Sequence, residues 1–298
     1  MNDGWKKPGH RPQAHHRRQN LPSTTYAVVP KTPTMVNKTP HTSLVVPLSL
    51  LAVLVGFPAF SQDPSETQKF SQHRDNYVVS GFTKEAEIEF QLSVKYRLFS
   101  VNRLYFGFTQ RSFWDLWRFE ESAPFRESNY APEVFYEFCV GEGPSITRTV
   151  GVGLQHESNG KEGAISRSWN KIYIEPQLLL LNSAILIRPK LWVPFAIGDE
   201  NADIRSYLGY GELRMDWVFR EKEELLRFYV LLKKGAGGGF KKSGVRLVLV
   251  GKPIRLITHK LEAVNPSLQL QHWNGYGESL ESYDRPTKNF RVGITFVL

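Results

Sequence analysis

Cysteine is nearly absent from this 298-residue chain: Cys139 stands alone. A lone cysteine forms no internal disulfide and supplies no CxxC pair for zinc or thiol redox chemistry. Long apolar runs are scarce too. From Gln62 onward no stretch is apolar enough to span a bilayer as a helix, which takes ~20 such residues. A sustained helical period is also missing. So is a strong charge excess, once the charge is located. The formal net charge is +9, but residues 1–43 carry +6 of it (Lys6, Lys7, Arg11, Arg17, Arg18, Lys31 and Lys38 against Asp3). Residues 44–61 are uncharged, which leaves +3 for the rest. That balance gives no reason to expect a nucleic-acid partner. With 41% hydrophobic residues the chain has enough apolar material to fold.

What is present begins with a leader. Residues 1–43 are rich in Pro, His, Arg and Thr. Leu44–Phe57 (LVVPLSLLAVLVGF) follows as an apolar stretch behind that basic flank, and then Ala59-Phe60-Ser61. This order is that of a secretory signal with a long basic n-region. A transmembrane anchor is the other reading, but the run is short of ~20 residues and contains Pro47. The expectation is a leader over residues 1–61, cleaved after Ser61, and a mature domain over 62–298. Met35 offers a second start that would make the leader ordinary in length.

The mature region alternates. In Glu87–Phe99, Ile88, Phe90, Leu92, Val94, Tyr96 and Leu98 interleave with Glu87, Glu89, Gln91, Ser93, Lys95 and Arg97. Period two with one apolar and one polar face marks a β-strand. Leu104–Phe108, Val134–Val140, Ile172–Leu180, Tyr207–Phe219 and Phe290–Leu298 repeat the pattern. A soluble sandwich hides such faces between sheets, whereas a membrane barrel turns them to lipid. The segments reach the length of tilted spanning strands. Trp114, Trp117, Tyr130, Trp169, Trp192, Trp217 and Trp273 sit near their ends, as interface girdles do. The polar face is densely charged. Eleven or twelve segments can be counted. Bacterial single-chain barrels take even numbers, so the expectation is all-β, a twelve-stranded antiparallel transmembrane barrel.

One segment carries chemistry. In ITRTVGVGLQHESNGKEGAISRSWNK, residues 146–171, Val150, Val152 and Leu154 share the lipid-facing parity with His156 and Ser158. On the next strand Asn170 shares it with Ile172 and Ile174, and on an earlier one Gln110 continues Leu104, Phe106 and Phe108. An unpartnered polar side chain facing hydrocarbon costs several kcal/mol. Residues i and i+2 on a strand lie ~7 Å apart on one face, so His156 can serve Ser158 as general base. Asn170 can hold the other imidazole nitrogen, the third place in a triad. The bland alternative is that His156 and Ser158 are interface residues satisfied by headgroups.

His156-Glu157-Ser158-Asn159-Gly160, followed by Ser166-Arg167-Ser168-Trp169-Asn170, resembles the signature of the outer membrane phospholipase A family. Thr109–Trp114, Glu121–Tyr130 and Gly275–Leu280 resemble family segments in the same order, so the likeness covers roughly residues 70–298. It implies a twelve-stranded outer-membrane barrel that hydrolyses phospholipid acyl esters with calcium. Both sn-1 and sn-2 positions and lysophospholipids are implied substrates, and a homodimer is the implied active state. By position Ser158 is the nucleophile, His156 the base, Asn170 its orienting residue and Gln110 a support for Asn170. The implied dimer calcium site takes Ser122 from one subunit, and Ser166 with the main-chain carbonyl of Lys161 from the other. Lys161 departs from the arginine expected there. Glu200, near Asp199 and Asp203, falls where the family places an acidic ligand of a monomer-state calcium. Two other readings remain open: a non-enzymatic pore or scaffold, and an acyltransferase using the same acyl-enzyme.

Overall fold

The structure is a computed structural model that describes residues 69–297, apart from 82–86, 100–102, 117, 119–123, 141–146, 182–183, 222–223 and 254–265. The expected leader and its cleavage after Ser61 therefore lie outside the described residues, as do Trp117 and Ser122.

Almost everything described is strand. In chain order these are β1 (Phe70–Gln72), β2 (Asn76–Gly81), β3 (Ile88–Arg97), β4 (Leu104–Trp114), β5 (Phe125–Cys139), β6 (Thr147–Ser158) and β7 (Ser168–Leu180). After them come β8 (Ile185–Phe195), a short helix α1 (Ile204–Leu208), β9 (Gly211–Glu221), β10 (Glu224–Lys234), β11 (Ser243–Pro253), β12 (Ser267–Gly275) and β13 (Thr287–Phe296). Consecutive strands from β2 onward pair antiparallel, and β13 returns to β2 with Ile294 opposite Val78. The sheet is therefore a closed barrel. β1 and β2 both run along the edge of β3 that β4 leaves free, Phe70 opposite Tyr96 and Tyr77 opposite Gln91. They are two halves of one strand, so thirteen segments fill twelve positions, the number expected.

The alternation decides which face meets what. Leu154, Ile172 and Val193 are 54%, 51% and 66% exposed on the outer wall. Their sequence neighbours Gln155, Lys171 and Trp192 are buried inside. This inversion of a soluble protein is what lipid demands, because only paired backbone and apolar side chains tolerate it. The inward charges neutralise one another. Glu89 meets Arg246 and Arg291, both at 3.1 Å. The break between β1 and β2 turns three more side chains into the lumen. Arg74 grips Glu175 on the far side of the barrel through two bonds of 2.6 and 2.7 Å. His73 reaches Glu133 at 2.7 Å, and Asp75 lies between Arg214 and Arg227 at 2.8 and 3.1 Å. The interior is crossed by ion pairs rather than held open.

Three expectations change. Trp169, Trp192 and Trp273 are 1%, 7% and 0% exposed and face inward, not toward an interface girdle. Their parity is that of the lumen, where each indole N–H has an acceptor: Glu157, the Gly209 carbonyl and the Gly275 carbonyl. Tyr207 is not a strand residue but sits in α1, and its strand begins only at Gly211. The last strand ends at Phe296 rather than Leu298.

At the end of the barrel near Phe296, Ala184 N–H closes back on the Leu181 carbonyl at 3.1 Å between β7 and β8, and β9 and β10 are only two residues apart in sequence; connections that short mark this end as periplasmic. The longer loops 159–167, 196–210 and 276–286 rise from the opposite, extracellular rim.

Candidate active site

β6 reaches that extracellular rim just as its lipid-facing column turns polar. The β6–β7 register sets Leu154 opposite Ile172, His156 opposite Asn170 and Ser158 opposite Ser168. The pairing is antiparallel, so His156 and Asn170 project side by side from the outer wall. Nδ1 of His156 lies 3.0 Å from Oδ1 of Asn170. On its other side Asn170 donates from Nδ2 to the carbonyl of Ala196, also at 3.0 Å.

That second bond settles the chemistry of the first. A carbonyl only accepts, so the amide NH₂ of Asn170 must face Ala196 and its oxygen must face the imidazole. An amide oxygen only accepts, so Nδ1 of His156 carries the proton. In the neutral ring that leaves the lone pair on Nε2, the nitrogen that can then act as a base. Ser158 follows two residues along on the same parity. Among the described residues no hydrogen bond joins Ser158 to His156, and such contacts often close only around substrate.

The back of the strand pair is clamped from the lumen. Glu157, between His156 and Ser158, accepts from Trp169 Nε1 at 3.0 Å and from Lys171 Nζ at 2.7 Å. Trp169 and Lys171 flank Asn170, so the inner clamp and the outer pair share one register.

The loop after Ser158 is held by Asn159, which is buried. Its Nδ2 donates to the Ile165 carbonyl at 2.7 Å, and its Oδ1 accepts from the N–H groups of Arg167 and Lys161 at 2.9 and 3.3 Å. Gly160 turns the chain at φ 63°, where a Cβ would also press Tyr130 at 3.1 Å. Asn201 binds the next loop to the top of β7, bonding both backbone groups of Ser168 at 3.1 and 3.0 Å. Spacing gave no warning of Ala196, Asn159 or Asn201. Their roles depend on how the loops fold back.

Comparison with known proteins places the chain. The model of the Phospholipase A1 family matches residues 51–296. The chain is 33% identical over 238 residues to Phospholipase A1 of Proteus vulgaris, covering 75% of this chain and 73% of that protein. It is 32% identical over 224 residues to Phospholipase A1 of Escherichia coli K12, covering 71% and 70%. Outer membrane phospholipase A from Escherichia coli superposes with TM-score 0.65 at 27% identity, over 79% of this chain and 94% of that one. A Salmonella typhi outer membrane phospholipase, solved as a dimer with bound calcium, gives 0.64 at 27% identity, over 77% and 93%. The chain belongs to the Phospholipase A1 family. It is a phospholipase of the Gram-negative outer membrane, crossing it as a β-barrel.

The other residues singled out in the sequence fall in separate places on this phospholipase. Gln110 is on β4, with β5 and β6 between it and Asn170, and it donates to Ser112 Oγ at 3.0 Å. The fold does not bring it to Asn170, because parity put both on the outer wall without saying how far apart around it. Lys161 and Ser166 lie together on the 159–167 loop beside Ser158. The Lys161 ammonium is committed to the Arg126 carbonyl and to Glu281, both at 2.6 Å. Among the described residues neither the Lys161 carbonyl nor the Ser166 hydroxyl takes part in a hydrogen bond. A hydroxyl and a carbonyl are hard oxygen donors that suit Ca²⁺, though six to eight oxygens are usual. Asp199 and Glu200 are exposed at the 196–210 loop, while Asp203 accepts the Tyr283 hydroxyl proton. Burial and that bond push the Tyr283 hydroxyl above its ordinary range. No cluster of three or more His, Cys, Asp or Glu able to hold a metal occurs among the described residues.

Proposed function

We propose that this phospholipase cleaves the acyl esters of phospholipids through Ser158, His156 and Asn170, with calcium, as a homodimer. The sn-1 and sn-2 esters and lysophospholipids are its substrates. The observation that carries the reading is the chain from the Ala196 carbonyl through Asn170 to His156 on the lipid-facing wall. Polar groups there are costly unless they are used. These three are ordered so that one imidazole nitrogen is left as a base.

A phospholipid in the outer leaflet reaches the site sideways. Its acyl chain lies along the apolar wall of Leu154, Ile172 and Val193, directly below the pair. His156 Nε2 takes the proton as Ser158 Oγ attacks the ester carbonyl. The imidazolium formed is held by Asn170 and then protonates the leaving alcohol. Water, activated by the same nitrogen, hydrolyses the acyl-enzyme. An uncharged third member suits this setting, since a carboxylate at the lipid boundary would cost more to desolvate. The Lys161 carbonyl and Ser166 hydroxyl of one subunit, with Ser122 of its partner, would hold the calcium. Bound there, the ion supplies positive charge for the developing oxyanion. The calcium-bound dimer of the Salmonella typhi relative supports this part of the reading.

The test is hydrolysis of a defined phospholipid by purified protein in detergent, with and without chelator, beside Ser158→Ala. Full activity in the Ser158→Ala protein would remove the proposed nucleophile. A wild-type protein that is folded but inactive with calcium would leave a non-enzymatic barrel as the reading.

A further inference from the structure

The hairpin joining β10 to β11 is unlike the rest of the extracellular rim. It reads Lys234-Gly-Ala-Gly-Gly-Gly-Phe240-Lys241-Lys242-Ser243 and contains no acid. Ala236 N–H donates to the Arg205 carbonyl at 3.0 Å and Gly237 N–H to that of Ser206 at 3.2 Å, which docks the hairpin on α1. Four cations are thereby gathered: Arg205, Lys234, Lys241 and Lys242. The lumenal arginines and lysines around Glu89, Glu133 and Asp75 are matched with carboxylates. Among the described residues none of these four is in an ion pair. Lys242 Nζ instead lies 3.8 Å over the Tyr207 ring, and Lys234 Nζ 5.4 Å from the centre of Phe240. Phe240 itself is 82% exposed.

Position says what such a patch meets. On β10, Leu226, Phe228, Val230 and Leu232 carry the lipid-facing parity, while Tyr229 and Lys233 line the lumen. Lys234 is the next member of the lipid-facing column. It stands where hydrocarbon gives way to headgroups, and its long stem lets the ammonium reach upward from that boundary. An apolar ring among lysines that no carboxylate among the described residues neutralises, at that height, is the combination that engages an anionic membrane surface.

We propose that Lys234, Lys241, Lys242 and Arg205, with Phe240, form a binding site for the phosphate headgroup of an outer-leaflet lipid. It lies four strand positions around the barrel from β6 and β7. It therefore anchors or orders a neighbouring lipid and does not present it to Ser158. Charge and the Phe240 ring act together, so a soluble anion lacks half of the contact.

The test uses the full-length protein in zwitterionic detergent and diether phosphatidic acid, which has no acyl ester to hydrolyse. Diether phosphatidylcholine is the neutral control, and binding is read by thermophoresis of labelled protein. The wild type should bind the phosphatidic acid at least tenfold tighter than the choline lipid, and the preference should shrink with added salt. The triple variant Lys234→Gln/Lys241→Gln/Lys242→Gln should lose most of that preference. Inorganic phosphate at matched concentration should leave the lipid bound. Equal binding of the two lipids by the wild type would overturn the proposal, and so would an undiminished preference in the triple variant. Displacement by inorganic phosphate would overturn the lipid as ligand. Heat-modifiable electrophoretic mobility checks that each barrel is folded. Should the triple variant not fold, Lys241→Gln and Phe240→Ser alone should each weaken binding two- to threefold, and no change in either would equally overturn it.

Discussion

Asn170 and Ala196 are joined by a 3.0 Å hydrogen bond from side-chain amide to main-chain carbonyl, and Ala196 makes it from a left-handed backbone, φ 41°. Left-handed conformations cost a non-glycine residue about 1–2 kcal/mol. The strain coincides with the group that decides which way Asn170 points. Ala196→Gly should therefore keep the activity and raise stability by about 1 kcal/mol or less, glycine's looser unfolded chain offsetting part of the relief. Ala196→Pro, whose φ is fixed near −65°, should turn the carbonyl away. Hydrolysis should fall by one to two orders of magnitude while the barrel stays folded. Assay of both variants beside thermal unfolding checks this, and an active Ala196→Pro protein would sever Ala196 from the orientation of Asn170.

Ser158→Ala and His156→Ala should each remove nearly all hydrolysis without destabilising the fold, since alanine faces lipid more readily than serine or histidine. Asn170→Ala should be milder, because that residue positions the imidazole and makes no bond to substrate. Steady-state rates on one phospholipid order the three. An Asn170→Ala protein as dead as Ser158→Ala would give the asparagine more than an orienting task.

Much of this was readable from alternation alone. Period two in residues 87–99 and 172–180 put the apolar faces outward, and the shared parity of His156 with Val152 and Leu154 put an imidazole on the lipid wall. Asn170 was found by the same parity on the following strand, and hairpin register does the rest. Parity says nothing of distance around the barrel, which is why Gln110 looked like a neighbour of Asn170 and lies on β4. Nor does it give the direction of a large side chain's polar end. Trp169 and Trp273 suggested a girdle, yet each indole N–H seeks an acceptor inside. The break at His73–Asp75 left no mark, because its three polar side chains read like an ordinary loop until Glu133, Glu175 and Arg214 are seen across the lumen.

Glu157 and Lys171, 2.7 Å apart inside the barrel, tie β6 to β7 behind the pair. Lys171 is buried, its ammonium also 4.4 Å over the Trp169 ring. Removing one member of a buried pair leaves an uncompensated charge, worth about 3–5 kcal/mol. Glu157→Ala should lower the unfolding temperature and reduce kcat more than KM, through loosened His156–Asn170 geometry. Glu157→Ala with Lys171→Met should recover stability beyond the sum of the single effects. Additive losses in that cycle would mean the two side chains act independently.

Calcium and association should move together. Lys161 and Ser166 offer two oxygens on one loop, too few to hold Ca²⁺, for which six to eight are usual. On the proposed reading the remainder comes from water and from a second subunit. If so, calcium tightens the dimer and the dimer tightens calcium by the same factor. Lys161→Arg should change little, because the ligand proposed there is the main-chain carbonyl. Ser166→Ala removes a donor and should weaken activity and calcium-driven dimerisation together. A sulfonylated Ser158 bearing a long alkyl chain should favour dimers further, since the chain lies on the wall that the two subunits would share. Sedimentation in detergent, with calcium and with chelator, reads all of these. A monomer that is fully active without calcium would end this account of regulation while leaving the roles of Ser158 and His156 intact.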